Sequence, residues 1–287
     1  MPVLFNNVTI IGVGLIGGSL ARVLKARGLA GSITGAGRSR ETLELALRLG
    51  VIDYLGQGMK QSVEHADLIV LASPVGSFDA IVKEILPHVK QGAVLTDVGS
   101  VKGKLVKRIE DLLPRGVHYV PGHPIAGKEK HGVAEATENL FKNTKCILTP
   151  TSSTDPHALE AVRALWLEAG ARVVQMDADA HDHVFAAISH LPHAAAYAMV
   201  NTVSEFKAGP DSYITFSGGG FRDFTRIAAS SPEMWRDVCL LNSENIIEMI
   251  EQYQFALARI KKAIKHRDGE KLEKLFKAAS DCRKGLE

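Results

Sequence analysis

The chain reads as an α/β protein: a doubly wound, mostly parallel sheet with helices on both faces, followed by an all-helical segment. Three observations predict this. Strand-like and helix-like stretches alternate as far as Met176. Leu68-Ile-Val-Leu-Ala and Ala93-Val-Leu-Thr-Asp-Val are continuous apolar runs, as strands buried on both faces require. Beyond Met176 no strand pattern is visible, and long amphipathic periodicity replaces it.

In order, strands are expected at Val8–Ile11, Ser32–Ala36, Leu68–Ala72, Ala93–Asp97, Val117–Val120, Cys146–Thr149 and Arg172–Met176. Helices are expected near Leu15–Arg27, Arg40–Leu49, Phe78–Leu86, Val101–Leu112 and Pro156–Ala169. The first strand passes directly into Gly12-Val-Gly14-Leu15-Ile16-Gly17. In this strand-to-helix context G-x-G-x-x-G is a dinucleotide fingerprint rather than a chance run of glycines. Gly12 permits the tight turn, Gly14 lets a pyrophosphate approach the backbone, and Gly17 lets helix and strand pack closely. The helix start at Leu15 and Ile16 then offers N–H groups and a positive dipole end to the phosphates. Residues 1–176 therefore read as a Rossmann-type domain and 177–287 as a helical substrate-binding and dimerisation domain.

The acidic residue that would hold an NAD ribose is expected about twenty positions past the last fingerprint glycine. That position falls in Gly37-Arg38-Ser39-Arg40, which has no carboxylate. Two arginines and a serine suit a 2′-phosphate, which favours NADP. If Arg38 only stacks on adenine and backbone holds the ribose, NAD remains usable. Ser73-Pro74 ends the third strand and is expected to line the same groove.

At 287 residues with a net charge of +2, nothing argues for nucleic acid or a membrane surface. The three cysteines have no metal spacing, and no apolar run is long enough to span a bilayer. No signal-peptide pattern precedes the first strand, so a cytoplasmic location is expected. From Glu244 to Lys265, Ile246, Ile250, Tyr253, Leu257, Ile260 and Ile264 form one apolar seam. A helical domain this small buries little by itself, so the seam is expected to pair with a second copy.

Four further stretches carry unusual polar residues: Asp97-Val-Gly-Ser100-Val-Lys102, Gly122-His123-Pro-Ile-Ala-Gly127-Lys-Glu129, Ser189-His190-Leu-Pro192-His193, and Gly218-Gly219-Gly-Phe-Arg222-Asp223-Phe-Thr-Arg226. In this order, behind this fingerprint, they closely resemble the prephenate dehydrogenase family of tyrosine biosynthesis, from Val8 to about Tyr253. The resemblance implies NAD(P)-dependent oxidative decarboxylation of prephenate to 4-hydroxyphenylpyruvate. Hydride leaves the ring carbon bearing the hydroxyl, and the ring carboxylate departs as carbon dioxide. Such chemistry needs an acceptor for the hydroxyl proton, cations for two carboxylates and a dry pocket.

Carried over residue by residue, His123 matches the catalytic histidine. Ser100 matches the serine beside the nicotinamide, although a helix N-cap is its ordinary reading. His193 matches a substrate contact and His190 a supporting residue. Arg226 matches the arginine that grips a carboxylate through two parallel hydrogen bonds, with backbone access at Gly219 and Asp223 to orient it. Glu129 matches a gating acid, and Trp235 a tryptophan reaching the neighbouring subunit's pocket. His181 and His183 could join His190 and His193 in a metal site, but the reaction requires no metal. Lys128 and His131 depart from the family pattern, which leaves the choice between prephenate and arogenate open. Feedback by tyrosine is also left open. The chain is expected to end without the C-terminal regulatory domain or fused mutase of some relatives.

Two other readings fit the sequence less well. A β-hydroxyacid dehydrogenase would need a catalytic lysine on the first helix of the second domain, and none lies between Asp177 and Phe206. A non-catalytic dinucleotide-sensing dimer would have no use for His123, Ser100 and Arg226 together.

Overall fold

Six parallel strands form the main sheet of the computed structural model, which describes residues 3–127 and 130–286. They are β1 (Phe5–Ile11), β2 (Ala30–Ala36), β3 (Tyr54–Leu55), β4 (Leu68–Leu71), β5 (Val94–Asp97) and β6 (His118–Val120), in the spatial order β3-β2-β1-β4-β5-β6. Strand order reverses between β1 and β4, where open α/β sheets bind ligands. The register is level: Ile11 pairs with Ala36 and with Leu71, and Leu71 pairs with Asp97. The loops that follow these four residues therefore leave the sheet side by side.

Alternation along the strands builds a core on each face. Val8, Ile10, Leu68 and Val70 pack with Leu20 and Leu24 of α1 (Leu15–Ala26). Ile11, Ile69, Leu71 and Leu95 pack on the other face with Phe78, Val82 and Ile85 of α4 (Phe78–Ile85) and with α5 (Gly103–Glu110). The shorter α2 (Arg40–Arg48) and α3 (Met59–Val63) complete the layers.

The two last expected strands do not extend this sheet. β8 (Lys145–Leu148) and β9 (Arg172–Gln175) join β7 (Gly122–Pro124) in a separate three-stranded sheet, with α6 (Pro156–Glu168) between β8 and β9 in sequence. β7 runs antiparallel to β8. It turns out of β6 at Pro121-Gly122, where a Cβ on Gly122 would lie 2.9 Å from the Asp97 carbonyl oxygen. That close approach carries His123 across the carboxyl end of β5.

The remaining chain is helical: α7 (Ala178–Phe185), α8 (Leu191–Ser204), α9 (Gly219–Thr225), α10 (Pro232–Leu241), α11 (Ser243–Lys265) and α12 (Gly269–Lys284). The expectation of no strand beyond residue 177 needs one correction. Lys207–Ala208 and Asp211–Ser212 form a small hairpin about Gly209, whose φ of +63° suits the turn. No described helix is long and apolar enough to cross a membrane. The seam of α11 is covered at one end only: Ile246 is buried, whereas Leu257 is 46% and Ile264 60% exposed.

Candidate active site

The fingerprint loop is shaped by backbone contacts that leave no room for side chains. Gly12 has φ +99°, and a Cβ there would stand 2.6 Å from the Ala72 carbonyl and the Ser73 nitrogen. A Cβ on Gly17 would be 2.3 Å from the Gly12 oxygen, whereas nothing lies within 4 Å of one on Gly14. Gly14 is also the N-cap of α1 and supplies no side chain to its N–H groups. The first turn of the helix, with Leu15, Ile16 and Gly17, thus presents open backbone donors. A dinucleotide pyrophosphate would fit such a cradle, and a nicotinamide carried on it would supply a hydride acceptor.

Gly37 adjoins the loop, since the Gly12 N–H donates to the Ala36 carbonyl at 2.8 Å. Beyond it, Ser39 caps α2 by accepting from the Thr42 N–H, and Arg40 pairs with Glu44 at 2.9 Å. Arg38 is exposed and has no ion pair among the described residues. Ser73 bonds to Ser77 at 2.9 Å, and Pro74 starts the short turn Val75–Ser77. Ser100 is half-buried in the loop after β5. It is not a helix cap, because α5 starts at Gly103 with Lys102 as its N-cap.

Beneath that loop lies a buried polar cluster whose pairing the sequence did not reveal. The Lys102 ammonium meets Asp97 Oδ1, and both side chains are 0% exposed. The same carboxylate accepts the Gly99 N–H and the Tyr119 hydroxyl, each at 2.7 Å. Burial, followed by the neighbouring Asp97 charge, raises the Tyr119 phenol well above its usual range.

His123 Nδ1 lies 2.8 Å from His181 Nε2, and His181 Nδ1 lies 2.8 Å from Asp182 Oδ1. Phe185 stacks on His181 with centroids 4.4 Å apart and leans on His123 at 4.8 Å. Burial pushes His123 well below the ordinary imidazole range, with electrostatic opposition from His181, Lys102 and His190 as smaller causes. Burial also lowers His181, although Asp182 opposes the shift. His181 and Asp182 had left a trace in the sequence: two ionisable residues on the face of α7 that also carries the apolar Phe185.

Pro192 shapes the next part of the site. It lacks an N–H to close a normal turn, and Ala186–His190 widens into a π-turn before α8 begins at Leu191. His190 and His193 are presented from this junction. His190 is fully buried, receives Asn242 Nδ2 on Nδ1 at 3.1 Å, and lies beside the Ser100 backbone. Its pKa is lowered to about 4, chiefly by burial. His193 Nδ1 donates to the Ser189 carbonyl at 2.8 Å, and burial lowers this ring too.

Trp235 packs against this histidine pair. It is 8% exposed within its own chain, stacked on His193 with centroids 3.8 Å apart and edge-on to His190. The reason is that α10 docks on the turn Val75–Ser77, so closely that a Cβ on Gly76 would meet the Asp237 carboxylate at 2.3 Å. Trp235 is thereby held in the core that covers β4 and β5.

Arg226 and His193 line a cavity of about 540 Å³ with Gly127, Lys130, Glu135 and Ser230. Gly219 opens α9 beside this region. Asp223 and Arg226 are both exposed, three positions apart where α9 ends. Glu129 and Lys128 lie outside the described residues. His183 is exposed and turned to Asn245, and no group of three potential metal ligands occurs among the described residues.

A nicotinamide-dinucleotide-dependent dehydrogenase is the class of protein that this strand order and cradle define. Comparison with known proteins carries the assignment further. Residues 20–175 match the family model "Prephenate dehydrogenase, nucleotide-binding domain", and residues 177–278 match "Prephenate dehydrogenase, dimerization domain". Prephenate dehydrogenase of Bacillus subtilis is 37% identical over 282 residues, covering 98% of this chain and 76% of that one. Cyclohexadienyl dehydrogenase of Zymomonas mobilis is 34% identical, covering 98% and 96%. The crystal structure of prephenate dehydrogenase from A. aeolicus with hydroxyphenyl propionate and NAD+ superimposes with a TM-score of 0.93 at 40% identity, covering 98% of each chain. The chain belongs to the prephenate dehydrogenase family.

Proposed function

We propose that this protein converts prephenate to 4-hydroxyphenylpyruvate and carbon dioxide as a homodimer, passing the hydride to NADP or NAD. The observation that carries the reading is the half-buried imidazole of His123 at the carboxyl end of β5, one strand from the switch point that the fingerprint loop occupies. Its depressed pKa keeps the ring neutral near pH 7, so that it can accept the proton of the ring hydroxyl as the hydride leaves. Ser100, in the loop that follows β5, hydrogen-bonds the same hydroxyl.

Arg226 and His193, across the 540 Å³ cavity, serve the carboxylate end of the substrate. A guanidinium matches a carboxylate with two parallel hydrogen bonds. The Trp235 stack holds His193 in place and excludes water on that side. Arg38, with no carboxylate at the end of β2, favours the 2′-phosphate of NADP. The half-covered seam of α11 supports pairing of two copies through their helical domains.

A second reading, arogenate as substrate, draws on the full-length likeness to a cyclohexadienyl dehydrogenase. Initial rates with prephenate and arogenate, each against NAD and NADP, test both. The proposal expects the highest kcat/KM with prephenate and NADP. Turnover of arogenate alone would replace it with the second reading, and turnover of neither substrate would overturn both.

A further inference from the structure

We propose that His181 and Asp182 act on His123 as a proton relay, fixing the tautomer that leaves His123 Nε2 bare and sharing the charge it acquires. The inference rests on the reading of His123 as proton acceptor, and it assigns His181 and Asp182 as positioning residues for that role.

The direction of the relay follows from what each atom can do. An ionised carboxylate can only accept. Asp182 Oδ1 takes the Lys102 backbone N–H at 2.8 Å and His181 Nδ1 at 2.8 Å, so the His181 proton sits on Nδ1. His181 is neutral, since burial lowers its pKa, and its Nε2 is therefore a lone pair. That lone pair faces His123 Nδ1 at 2.8 Å, so His123 must donate from Nδ1. The remaining His123 nitrogen, Nε2, carries the second lone pair. It has no hydrogen-bond partner among the described residues.

The frame around these atoms is rigid. His181 is 0% exposed and clamped under Phe185, and Asn242 Nδ2 donates to the Asp182 carbonyl at 2.8 Å. When the substrate O–H breaks, its proton forms the new bond to His123 Nε2. The Nδ1 proton then leans towards His181, and the His181 Nδ1 proton leans towards Asp182. The relay consumes no oxidant and changes no other bond.

His123 needs such a counter-charge because its other neighbours oppose a cation. Lys102 faces it from the loop after β5 and His190 from the π-turn, while the Cys146 thiol of β8, kept neutral by burial, offers no negative charge. Asp97 is already committed to Lys102 and Tyr119. Asp182, reached through His181, is the carboxylate left to balance the charge.

The test compares Asp182→Asn and His181→Gln with His123→Asn in the full-length enzyme. We read kcat, the Kd of prephenate and NAD, and the acid limb of the kcat/KM profile against pH. Asp182→Asn should lower kcat on the order of 10²-fold while both Kd values stay within about threefold. Its acid limb should move to lower pH, because the His123 cation loses its counter-charge. His181→Gln should show the same displaced limb. If both variants keep the wild-type kcat and limb while His123→Asn collapses, the relay is overturned and the acceptor reading stands. If His123→Asn is also unaffected, both fall. Should Asp182→Asn fail to fold, ring ¹⁵N shifts of the wild type decide: a bare Nε2 on His123 supports the relay, and a bare Nδ1 overturns it.

Discussion

The ammonium of Lys102 rests on the carboxylate of Asp97 with neither side chain reaching solvent. This pair closes the loop that carries Ser100 and places a fixed positive charge near His123. Breaking a buried pair from one side leaves an uncompensated charge, at a cost of about 3–5 kcal/mol. Lys102→Met should lose about that much stability by urea denaturation. Adding Asp97→Asn to it should recover part of the loss, since the stranded charge is then gone. An unchanged urea midpoint for Lys102→Met would show that the pair holds nothing together.

Four neutral histidines make stability depend on pH. His123, His181, His190 and His193 all have folded pKa values below 6.5. The unfolded chain takes up their protons near pH 6.5 and the folded protein does not, so stability is full above that pH and falls below it. For His190 the loss continues to about pH 4 and reaches roughly 3 kcal/mol. Urea midpoints at pH 7, 6 and 5 should fall in that order. The fall should be shallower in His190→Gln, and an equal slope in the two proteins would contradict the assignment.

Gly12→Ala tests the cradle. The new methyl would meet the Ala72 backbone at 2.6 Å in a left-handed conformation, so the loop must move. Dinucleotide Kd should rise at least tenfold, measured by fluorescence titration. Gly14→Ala, with open space around the new Cβ in the unliganded protein, should fold normally yet bind the dinucleotide weakly. Wild-type affinity in both variants would place the dinucleotide elsewhere.

Arg226→Ala should act mainly on KM. Loss of a paired charge-assisted contact costs about 2–4 kcal/mol, or roughly 10²-fold in KM for prephenate. Arg226→Lys should recover little of it, because an ammonium cannot offer two parallel donors. A normal KM in Arg226→Ala would remove the clamp.

Much of this architecture was legible before any coordinates, and what was not has physical reasons. β1, β4 and β5 announce themselves as apolar runs because both of their faces are buried. β3 is two residues long and shows no period, and β7 is Gly-His-Pro, three residues with little strand preference. The fingerprint, Ser100, His123 and the His190–His193 pair stood out because glycine, proline and histidine cluster there in unusual spacings. Asp97 and Lys102 lay in a stretch that also stood out, but their pairing, the bond to Tyr119 and the contact of Asp182 with His181 did not show, since charged residues in a chain are ordinarily solvated and only packing reveals a buried pair. The stack of Trp235 on His193 was hidden for a related reason: the two lie 42 positions apart in sequence and are brought together by the docking of α10.

The most direct measurement is single-turnover oxidation of prephenate by His123→Asn, read beside equilibrium binding of the same substrate. The account predicts a rate at least 10²-fold below wild type, the usual contribution of a positioned base, with prephenate bound about as tightly as before. A variant that turns over at the wild-type rate would contradict it, because the hydroxyl proton would then be leaving by another route.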